Sequence, residues 1–398
     1  MKKVLFVCYG SGHVRMVVPV ARALQAAGLA QVQVVGLTTA ARVVRDAGLP
    51  LLQVKDFLRR GDEAALAMGR KLLASMGDVD DAAESEAYLG LSYAELEAQA
   101  GPQEAQRRYG ALGRQAFLPV QMMSRVLEQV RPDLLVVTNS PRAERAAVEA
   151  AAQLGVPSVC MVDLFAVDEV RWIGLPGYAQ RVCVLNAGVR QFLLAAGRGP
   201  GEVVVTGNPA FDALLDPGNT RRARELRRRH GWEGRRLLLW PNQAEPVVHP
   251  FDGRPGDPGL PGRVLARLAQ WVMRQPDAVL CVRPRAGETM PALPADPRIV
   301  LTGQDWALPD LLHAVDTVVT LTSTVGLEGH LCGARLVQVR GSVFDDAMPL
   351  ARFGIADAAV PLNGLDQALD RWTALPRRDP VSSGAATRRV VEVLAEFL

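Results

Sequence analysis

Short runs of consecutive apolar residues, separated by Ala-rich stretches long enough for helices, restrict the fold of this chain more than any other feature. The first set of runs comprises Val4–Cys8, Val32–Gly36, Leu51–Val54, Leu134–Thr138, Ser158–Val162, Val182–Leu185 and Val203–Thr206. The runs are apolar throughout instead of alternating, which is typical of strands buried on both faces of a parallel sheet. Helices are predicted between them at Val17–Ala27, Thr39–Ala47 and Arg142–Leu154. The alternation predicts a doubly wound α/β domain.

The same alternation starts again after Arg235 and predicts a second, similar domain. Its strands are predicted at Leu237–Trp240, Ala278–Val282, Ile299–Leu301, Thr317–Leu321 and Leu336–Val339, and its helices include Gly262–Arg274, Trp306–Ala314 and Val325–Cys332. Turn residues between Gly207 and Arg235 mark the boundary. A length of 398 residues suits two domains better than one core. We expect domains at 1–207 and 208–383, followed by a helix at about 384–398.

The segment from Lys55 to Arg131 is longer than one crossover between strands requires. Its residue types favour helices, with glycines at intervals, so we interpret the segment as a helical insertion on the first domain. Insertions of this length either shape a substrate site or serve only packing, and the sequence does not separate these two roles.

Composition and charge exclude several classes of protein. The formal net charge is only +3, so the chain lacks the concentrated basic face of a nucleic-acid-binding protein. The segment Arg221–His230 holds six arginines, which suit either peripheral contact with an anionic membrane or, as we favour, a solvated helix face. No apolar run approaches the roughly 20 residues of a membrane span. The five scattered cysteines indicate buried thiols in a reducing cytoplasm, where we expect the protein to act.

The first predicted strand leads into Gly10, Ser11, Gly12 and His13, ahead of the first helix. Glycines let a backbone approach a ligand closely, and a helix N-terminus offers unpaired N–H groups to negative charge. The third glycine of the dinucleotide fingerprint is missing. His13 should lie at the carboxyl edge of the sheet, where open α/β folds bind ligands, and is a candidate general base. The alternative is a histidine at a helix start without a chemical role.

A second candidate loop follows the predicted strand Thr317–Leu321. It contains Ser323, Thr324, Val325 and Gly326, with Glu328 close behind. Ser323 or Thr324 should cap the next helix, whose N-terminus can hold a diphosphate. The carboxylate of Glu328, expected in about the first turn, would accept the two hydroxyls of a ribose. The alternative is an ordinary capping box formed by Thr324 and Glu328.

Two more polar groups follow predicted strands of the second domain. Arg283 and Arg285 come directly after the strand Ala278–Val282 and suit phosphate recognition, although a solvated loop is the alternative. Asn242 and Gln243 follow the strand Leu237–Trp240, at the edge where a ligand is expected, but their chemistry is unspecific.

Polar residues also follow the fifth strand of the first domain and mark the domain junction. Asp163, Asp168 and Glu169 come after that strand, and we favour Asp163 as a candidate base and the other two as loop charges. Asn208 lies in the turn Gly207-Asn208-Pro209 and is a candidate ligand-binding residue, whereas Asp212 is explained simply as a helix cap.

Together these segments resemble the GT-B superfamily of nucleotide-sugar enzymes. The loop around His13, with Pro19 beyond it, is similar to the first loop of the GT-B glycosyltransferases that make peptidoglycan precursors and small-molecule glycosides. The segment Ser323–Glu328, with Gly333 after it, is similar to the donor-binding element of that superfamily. The junction Val205–Asp212 is similar to that of the UDP-N-acetylglucosamine 2-epimerases, which share the fold.

The resemblance implies an α/β fold of two tandem Rossmann-like domains facing a central cleft, with the final helix packing back on the first domain. It implies a nucleotide-diphosphate sugar, with UDP as the expected nucleotide, and an acceptor that the sequence does not identify. The second domain would hold the donor, and His13 or Asp163 would lie near the reacting hydroxyl. We expect no cofactor and no metal, since no pair of aspartates with ligand spacing lies near the donor segment.

The chain departs from the epimerase pattern at four places. In the first domain, the glycine-rich loop with His13 stands in place of a Gly-Thr-Arg-Pro-Glu signature, and Asn139-Ser140 stands in place of a catalytic Asp. Asp163 stands in place of a Glu, and in the second domain Pro241-Asn242-Gln243 stands in place of a His-Arg signature. Epimerisation requires groups that remove and return a proton, whereas glycosyl transfer requires fewer groups. We therefore favour a glycosyltransferase. The alternatives are a divergent 2-epimerase, isomerising or hydrolysing, and a non-catalytic binder of nucleotide-sugars.

Overall fold

The computed structural model describes residues 1–77, 79–250, 252–285, 293–303, 306–381 and 385–398. The chain forms two compact units, which we call the first unit (Met1–Ala210 with Ala385–Leu398) and the second unit (Phe211–Gly384). Position 78 of the predicted insertion and position 384, the expected start of the final helix, lie outside the described residues.

The described part of the first unit contains a seven-stranded sheet in which all neighbouring strands are parallel. Its strands are β1 (Lys3–Cys8), β2 (Gln31–Gly36), β3 (Leu51–Leu52), β4 (Leu134–Thr138), β5 (Ser158–Met161), β6 (Arg181–Val184) and β7 (Val203–Val205). The strand order is β3-β2-β1-β4-β5-β6-β7. Because the order reverses between β1 and β4, the loops after these two strands flank a topological switch point, where such folds bind ligands.

Helices connect these strands. They are α1 (Gly12–Ala26), α2 (Ala40–Asp46), α3 (Glu63–Leu73), α4 (Ala82–Ala100), α5 (Pro102–Leu112), α6 (Val120–Val130), α7 (Ala143–Leu154), α8 (Val170–Ile173) and α9 (Ala187–Ala195), with 3-10 helices at Val54–Phe57 and Gly113–Ala116. Helices α3 to α6 lie between β3 and β4, where the sequence predicted a helical insertion. The carboxylate of Asp81 caps α4 by accepting the N–H of Glu84 over 3.0 Å.

The described part of the second unit contains a six-stranded parallel sheet. Its strands are β8 (Arg236–Pro241), β9 (Ala278–Arg283), β10 (Ile299–Leu301), β11 (Thr317–Thr320), β12 (Arg335–Val339) and β13 (Ala358–Val360). The order β10-β9-β8-β11-β12-β13 reverses between β8 and β11. The second unit therefore has its own switch point, flanked by the loops after β8 and β11.

The remaining helices follow the same alternation. They are α10 (Pro217–Arg229), α11 (Leu260–Arg274), α12 (Leu308–Ala314), α13 (Thr324–Leu331), α14 (Leu365–Trp372) and α15 (Ala386–Ala395), with 3-10 helices at Pro209–Leu215 and Leu362–Gly364. Helix α15 is part of the first unit, where Val390 and Leu394 are fully buried in one core with Val17 and Val20 of α1.

The strands are buried as their apolar sequences predicted. All five residues of β4 and five of the six residues of β9 are buried. Strands covered on both faces by helices are what a doubly wound domain requires. The predicted α/β fold with two successive parallel sheets is confirmed.

The structure corrects some predicted boundaries. Helix α1 begins at Gly12 instead of Val17, because Ser11, at φ 59°, turns the chain from strand into helix at once. The strand predicted to reach Val54 ends at Leu52, since Gln53 and Asp56 form a capping box that starts a 3-10 helix. Strand β13 was not predicted, because three small residues carry little apolar pattern. Most other boundaries move by only one or two residues.

Candidate functional site

The loop after β1 brings His13 to the carboxyl edge of the first sheet. His13 is the second residue of α1, and the preceding Ser11 adopts a left-handed backbone that few side chains favour. A Cβ on Gly10 would lie 1.8 Å from Oγ1 of Thr39, so glycine is required for this loop to pack against the loop after β2. The close packing fixes the start of α1 and with it the half-buried imidazole of His13.

A chain of short hydrogen bonds runs inward from His13. Nδ1 of His13 lies 2.7 Å from Oγ1 of Thr138, the last residue of β4. The Thr138 hydroxyl donates to Oε2 of Glu144 over 2.6 Å. Imidazole, hydroxyl and carboxylate therefore form one relay at the switch point of the first sheet, and we call these three residues the His13 relay.

Glu144 is the buried end of the relay. Its side chain is fully buried in the first turn of α7, and it accepts two backbone N–H groups in addition to the Thr138 hydroxyl. The N–H of Tyr9 donates to Oε1 and the N–H of Ser140 to Oε2, each over 2.7 Å. Three donors compensate the buried carboxylate, which also connects the loops after β1 and β4.

The relay determines which nitrogen of His13 carries its proton. Thr138 has one hydroxyl proton and donates it to Glu144, so its oxygen can only accept from His13. Nδ1 of His13 is then the protonated nitrogen, and Nε2 keeps a free lone pair. An imidazole held in this tautomer can take a proton from a bound hydroxyl.

Asp163 follows β5, and its backbone is held from two sides. Its N–H donates to Oδ1 of Asn139 over 3.0 Å, and its carbonyl accepts from Nδ2 of Asn208 over 2.7 Å. Its own carboxylate accepts the N–H of Leu164 over 2.7 Å. Oδ1 of Asn208 accepts the N–H of Ala210. Asn208 is buried and positions the Asp163 loop, and its ligand-binding role stays a prediction.

Glu169 shares this edge and was interpreted from the sequence as a loop charge. Burial, helped by the charges of Asp163 and Asp168, raises the pKa of its carboxyl to about 7, and the nearby His13 opposes the rise. In the same loop, the non-glycine residue Ala166 has φ 51°, a strained conformation of the kind found at functional sites. Glu169 is therefore a candidate proton-exchanging group that sequence reasoning underrated.

In the second unit, Ser323 caps α13. Its hydroxyl accepts the N–H of Val325 over 3.3 Å, and its own N–H donates to Oγ1 of Thr320 over 3.1 Å. Glu328 is the fifth residue of the helix, just beyond the first turn where it was expected, and the alternative of a capping box with Thr324 is wrong because Ser323 is the cap. A single serine makes the cap, which leaves Glu328 one turn further along α13.

Gly326 of the same segment has a packing role. A Cβ at this position would lie 2.7 Å from Cγ2 of Thr320 and 3.1 Å from Cδ1 of Leu336. Glycine thus lets the start of α13 pack directly on β11 and β12. Thr324 is exposed and Val325 half-buried at the helix start.

Gln243 and Asn242, after β8, support their neighbours. The side chain of Gln243 accepts the N–H of Thr322 and donates to Oγ1 of Thr322, both over 3.1 Å. Oδ1 of Asn242 accepts from Nε1 of Trp240 over 2.8 Å, and the N–H of Asn242 donates to the carbonyl of Arg283. Both residues position the loops at the switch point of the second sheet.

Arg283 and Glu328 interact electrostatically, so the structure brings two of the predicted donor segments together. Burial lowers the pKa of the Arg283 guanidinium, and the charge of Glu328 opposes that effect. Nη1 of Arg283 also donates to the carbonyl of Trp306 over 3.1 Å. Arg285 follows β9 and is exposed.

Three of the arginines in α10 form ion pairs within the second unit. Their partners are Asp310 for Arg222, Asp316 for Arg227 and Glu225 for Arg228. These pairs reduce the basic character of the segment Arg221–His230. Among the described residues, no helix is long and apolar enough to span a membrane, and no cluster of three His, Cys, Asp or Glu residues could hold a metal ion.

Two successive doubly wound α/β units, each with polar side chains gathered at its switch point, define the fold class of this chain. Solved structures with this fold are similar to the whole chain. UDP-GlcNAc 2-epimerase from Neisseria meningitidis is 11% identical, with a TM-score of 0.57 and coverage of 99% of this chain and 100% of that chain.

Two further solved structures are similar to the same extent. The glycosyltransferase of kitacinnamycin is 14% identical with a TM-score of 0.56, covering 100% of this chain and 99% of that chain. MurG from Acinetobacter baumannii is 15% identical with a TM-score of 0.56, and the match covers 100% of both chains. No family model matches the sequence, and a search of curated proteins finds no significant match. These likenesses establish the fold.

Proposed function

We propose that this protein is a glycosyltransferase that moves a sugar from a UDP-sugar to an acceptor hydroxyl. The observation that carries the proposal is the His13 relay, because a fully buried carboxylate fixes the tautomer of an imidazole at the ligand edge. In the proposed reaction, Nε2 of His13 takes the acceptor proton as the acceptor oxygen bonds to the anomeric carbon. The bond from that carbon to the diphosphate oxygen breaks, and UDP leaves with the electron pair.

The donor would be held by the second unit. The N-terminus of α13 offers N–H groups to a diphosphate, and the Arg283 guanidinium adds positive charge that stabilises the leaving UDP. Glu328, which interacts with Arg283, would accept the ribose hydroxyls. The proposal assigns no metal or other cofactor.

Two measurements test this proposal. A thermal-shift panel of UDP, GDP, CDP and TDP with their sugars should show a higher melting temperature for the UDP compounds, because a ligand stabilises the folded state. UDP release should require an acceptor, and His13→Ala should lower its rate by ~10²–10⁴-fold while the thermal shift by the UDP-sugar remains. Equal turnover by His13→Ala and the unaltered protein would remove His13 from the reaction.

A divergent UDP-N-acetylglucosamine 2-epimerase is the second candidate, and Glu169 favours it. A carboxyl whose pKa is raised to about 7 close to His13 is the kind of group that exchanges a proton with a substrate carbon at neutral pH. Incubation with UDP-N-acetylglucosamine in D₂O without any acceptor separates the candidates. Deuterium at C2 of the sugar, or release of the 2-epimer, identifies an epimerase, whereas an unchanged sugar supports the transferase.

A further inference from the structure

A cavity of about 200 Å³ lies in the first unit between the loop after β2 and the helical insertion. Leu37, Tyr88 and Leu89 contribute apolar surface to its wall. Glu84, Ser85, Tyr88 and Leu89 of α4 line it, so the insertion, whose role the sequence left open, helps to form a space large enough for a small ring.

The cavity adjoins the loop that positions His13. The hydroxyl of Tyr88, in the cavity wall, is hydrogen-bonded to the hydroxyl of Tyr9, and the two rings meet edge to face with centroids 6.3 Å apart. Thr39, also in the wall, packs against Gly10 so closely that no side chain fits there. A ligand in the cavity would therefore contact residues held by the loop that carries His13.

One buried carboxylate in the wall forms no ion pair among the described residues. Glu84 is 5% exposed, and its two oxygens accept the N–H groups of Val54 and Lys55, each over 3.0 Å. An ionised carboxylate can accept about four hydrogen bonds, so two positions remain to be filled. The ammonium of Lys55 pairs with Asp81 at 2.5 Å instead. Burial raises the pKa of Glu84 to about 7, and the N–H groups of Lys55 and Val54 and the more distant charge of Lys55 oppose the rise.

We propose that this cavity binds the acceptor and that the acceptor is a small molecule with an apolar ring, a hydroxyl and a protonated amine, which pairs with Glu84. The inference rests on the proposed transferase function and specifies its acceptor class. The charges in the cavity wall favour an amine. Three carboxylates line the cavity (Asp80, Asp81 and Glu84), against one guanidinium, that of Arg114. The apolar wall and the volume select a ring over an extended chain.

The first experiment uses three probes of one shape and different charge: tyramine, tyrosol and 4-hydroxyphenylacetate. NMR titration of the full-length protein at pH 8 should give a dissociation constant for tyramine at least roughly tenfold below that of tyrosol, with the acetate weakest. Tyramine binding should weaken from pH 8 to pH 6, because Glu84 takes up a proton. Equal or tighter binding of the neutral or anionic probe overturns the proposal.

Variants on one helix locate the site. Ser85 lines the cavity and Ala83, on the same helix, is exposed and does not, so Ser85→Phe should abolish tyramine binding and Ala83→Phe should retain it. Glu84→Gln should bind tyramine and tyrosol equally, without pH dependence. Unaltered tyramine binding by Ser85→Phe contradicts the assignment.

The UDP-sugar thermal shift is measured in parallel with the probes. A protein that responds to UDP-sugar but not to tyramine contradicts the acceptor assignment alone. A protein that responds to tyramine but to no nucleotide contradicts the proposed transferase function.

Discussion

Nδ1 of His13 lies 2.7 Å from Oγ1 of Thr138, although 125 residues separate the two in the chain. They meet because β1 and β4 are neighbours in the sheet, with Val7 of β1 paired to Val137 of β4. The contact places His13 next to the switch point, and the Thr138 hydroxyl connects it to a buried carboxylate. In the proposed reaction, Thr138 would be a positioning residue, since it would act through His13.

Replacement of Thr138 by valine keeps the shape and removes the hydroxyl. His13 then loses the partner that fixes its tautomer, and Glu144 loses one of three donors. We expect kcat to fall by about tenfold to a hundredfold with KM for the UDP-sugar unchanged. The free energy of unfolding should fall by about 1–3 kcal/mol, because a buried acceptor loses its donor.

The control is Thr138→Ser, which keeps the hydroxyl and should keep most of the activity. Steady-state kinetics of UDP release and urea denaturation of both variants make the comparison. If valine and serine variants lose kcat to the same extent, the relay does not position His13.

The pH dependence of stability should reveal Glu169. Burial raises its pKa in the folded protein to about 7, from an ordinary 4.5, so between these values the folded state holds a proton that the unfolded chain has released. The free energy of unfolding should therefore fall as pH rises from about 4.5 to 7. The glutamine in the Glu169→Gln variant cannot ionise. The unfolding free energy of this variant minus that of the unaltered protein should therefore increase between about pH 4.5 and pH 7 and stay constant above pH 7.

Urea denaturation at pH 5, 6, 7 and 8 measures this difference. Glu84, whose pKa burial also raises to about 7, contributes in the same direction. A variant that combines Glu169→Gln with Glu84→Gln should therefore lose even less unfolding free energy as the pH rises. Parallel pH profiles for Glu169→Gln and the unaltered protein would show that the pKa of Glu169 is not raised.

Glu328→Gln tests the donor site. In the proposal, the carboxylate accepts two ribose hydroxyls, and the neutral amide can accept only at its oxygen, so UDP affinity should fall by about tenfold to a hundredfold. Calorimetric titration with UDP gives the dissociation constants. Glu233→Gln, at an exposed position in the same unit, is the matched control and should bind UDP normally. Equal affinity in both variants would contradict a ribose contact at Glu328.

Two glycine substitutions should change stability in opposite directions. Gly326→Ala places a Cβ 2.7 Å from Thr320, which should cost about 1–3 kcal/mol of unfolding free energy. Gly262→Ala has nothing within 4 Å of the new Cβ and lies in α11, so alanine should stabilise by up to about 1 kcal/mol. Melting temperatures of the two variants check the sign. A stable Gly326→Ala would mean that α13 can move away from β11.

The alternation of apolar runs and helical stretches was enough to predict both sheets and the insertion. Buried parallel strands need uninterrupted apolar sequence, and this requirement is local, so it is visible along the chain. Strand β13 lacked that pattern and was missed. The fold also places the loops after parallel strands at one edge, which is why His13 and Ser323 could be predicted as edge residues.

The sequence by itself determined the fold class and the strands that the candidate loops follow. Only the tertiary structure decided that Thr138 and Glu144 hold His13, that Asn208 holds the Asp163 loop and that Glu84 faces a cavity. The physical reason is that these contacts join residues from different strands and helices. Their formation depends on strand order and helix packing, which a periodic pattern in one segment does not encode.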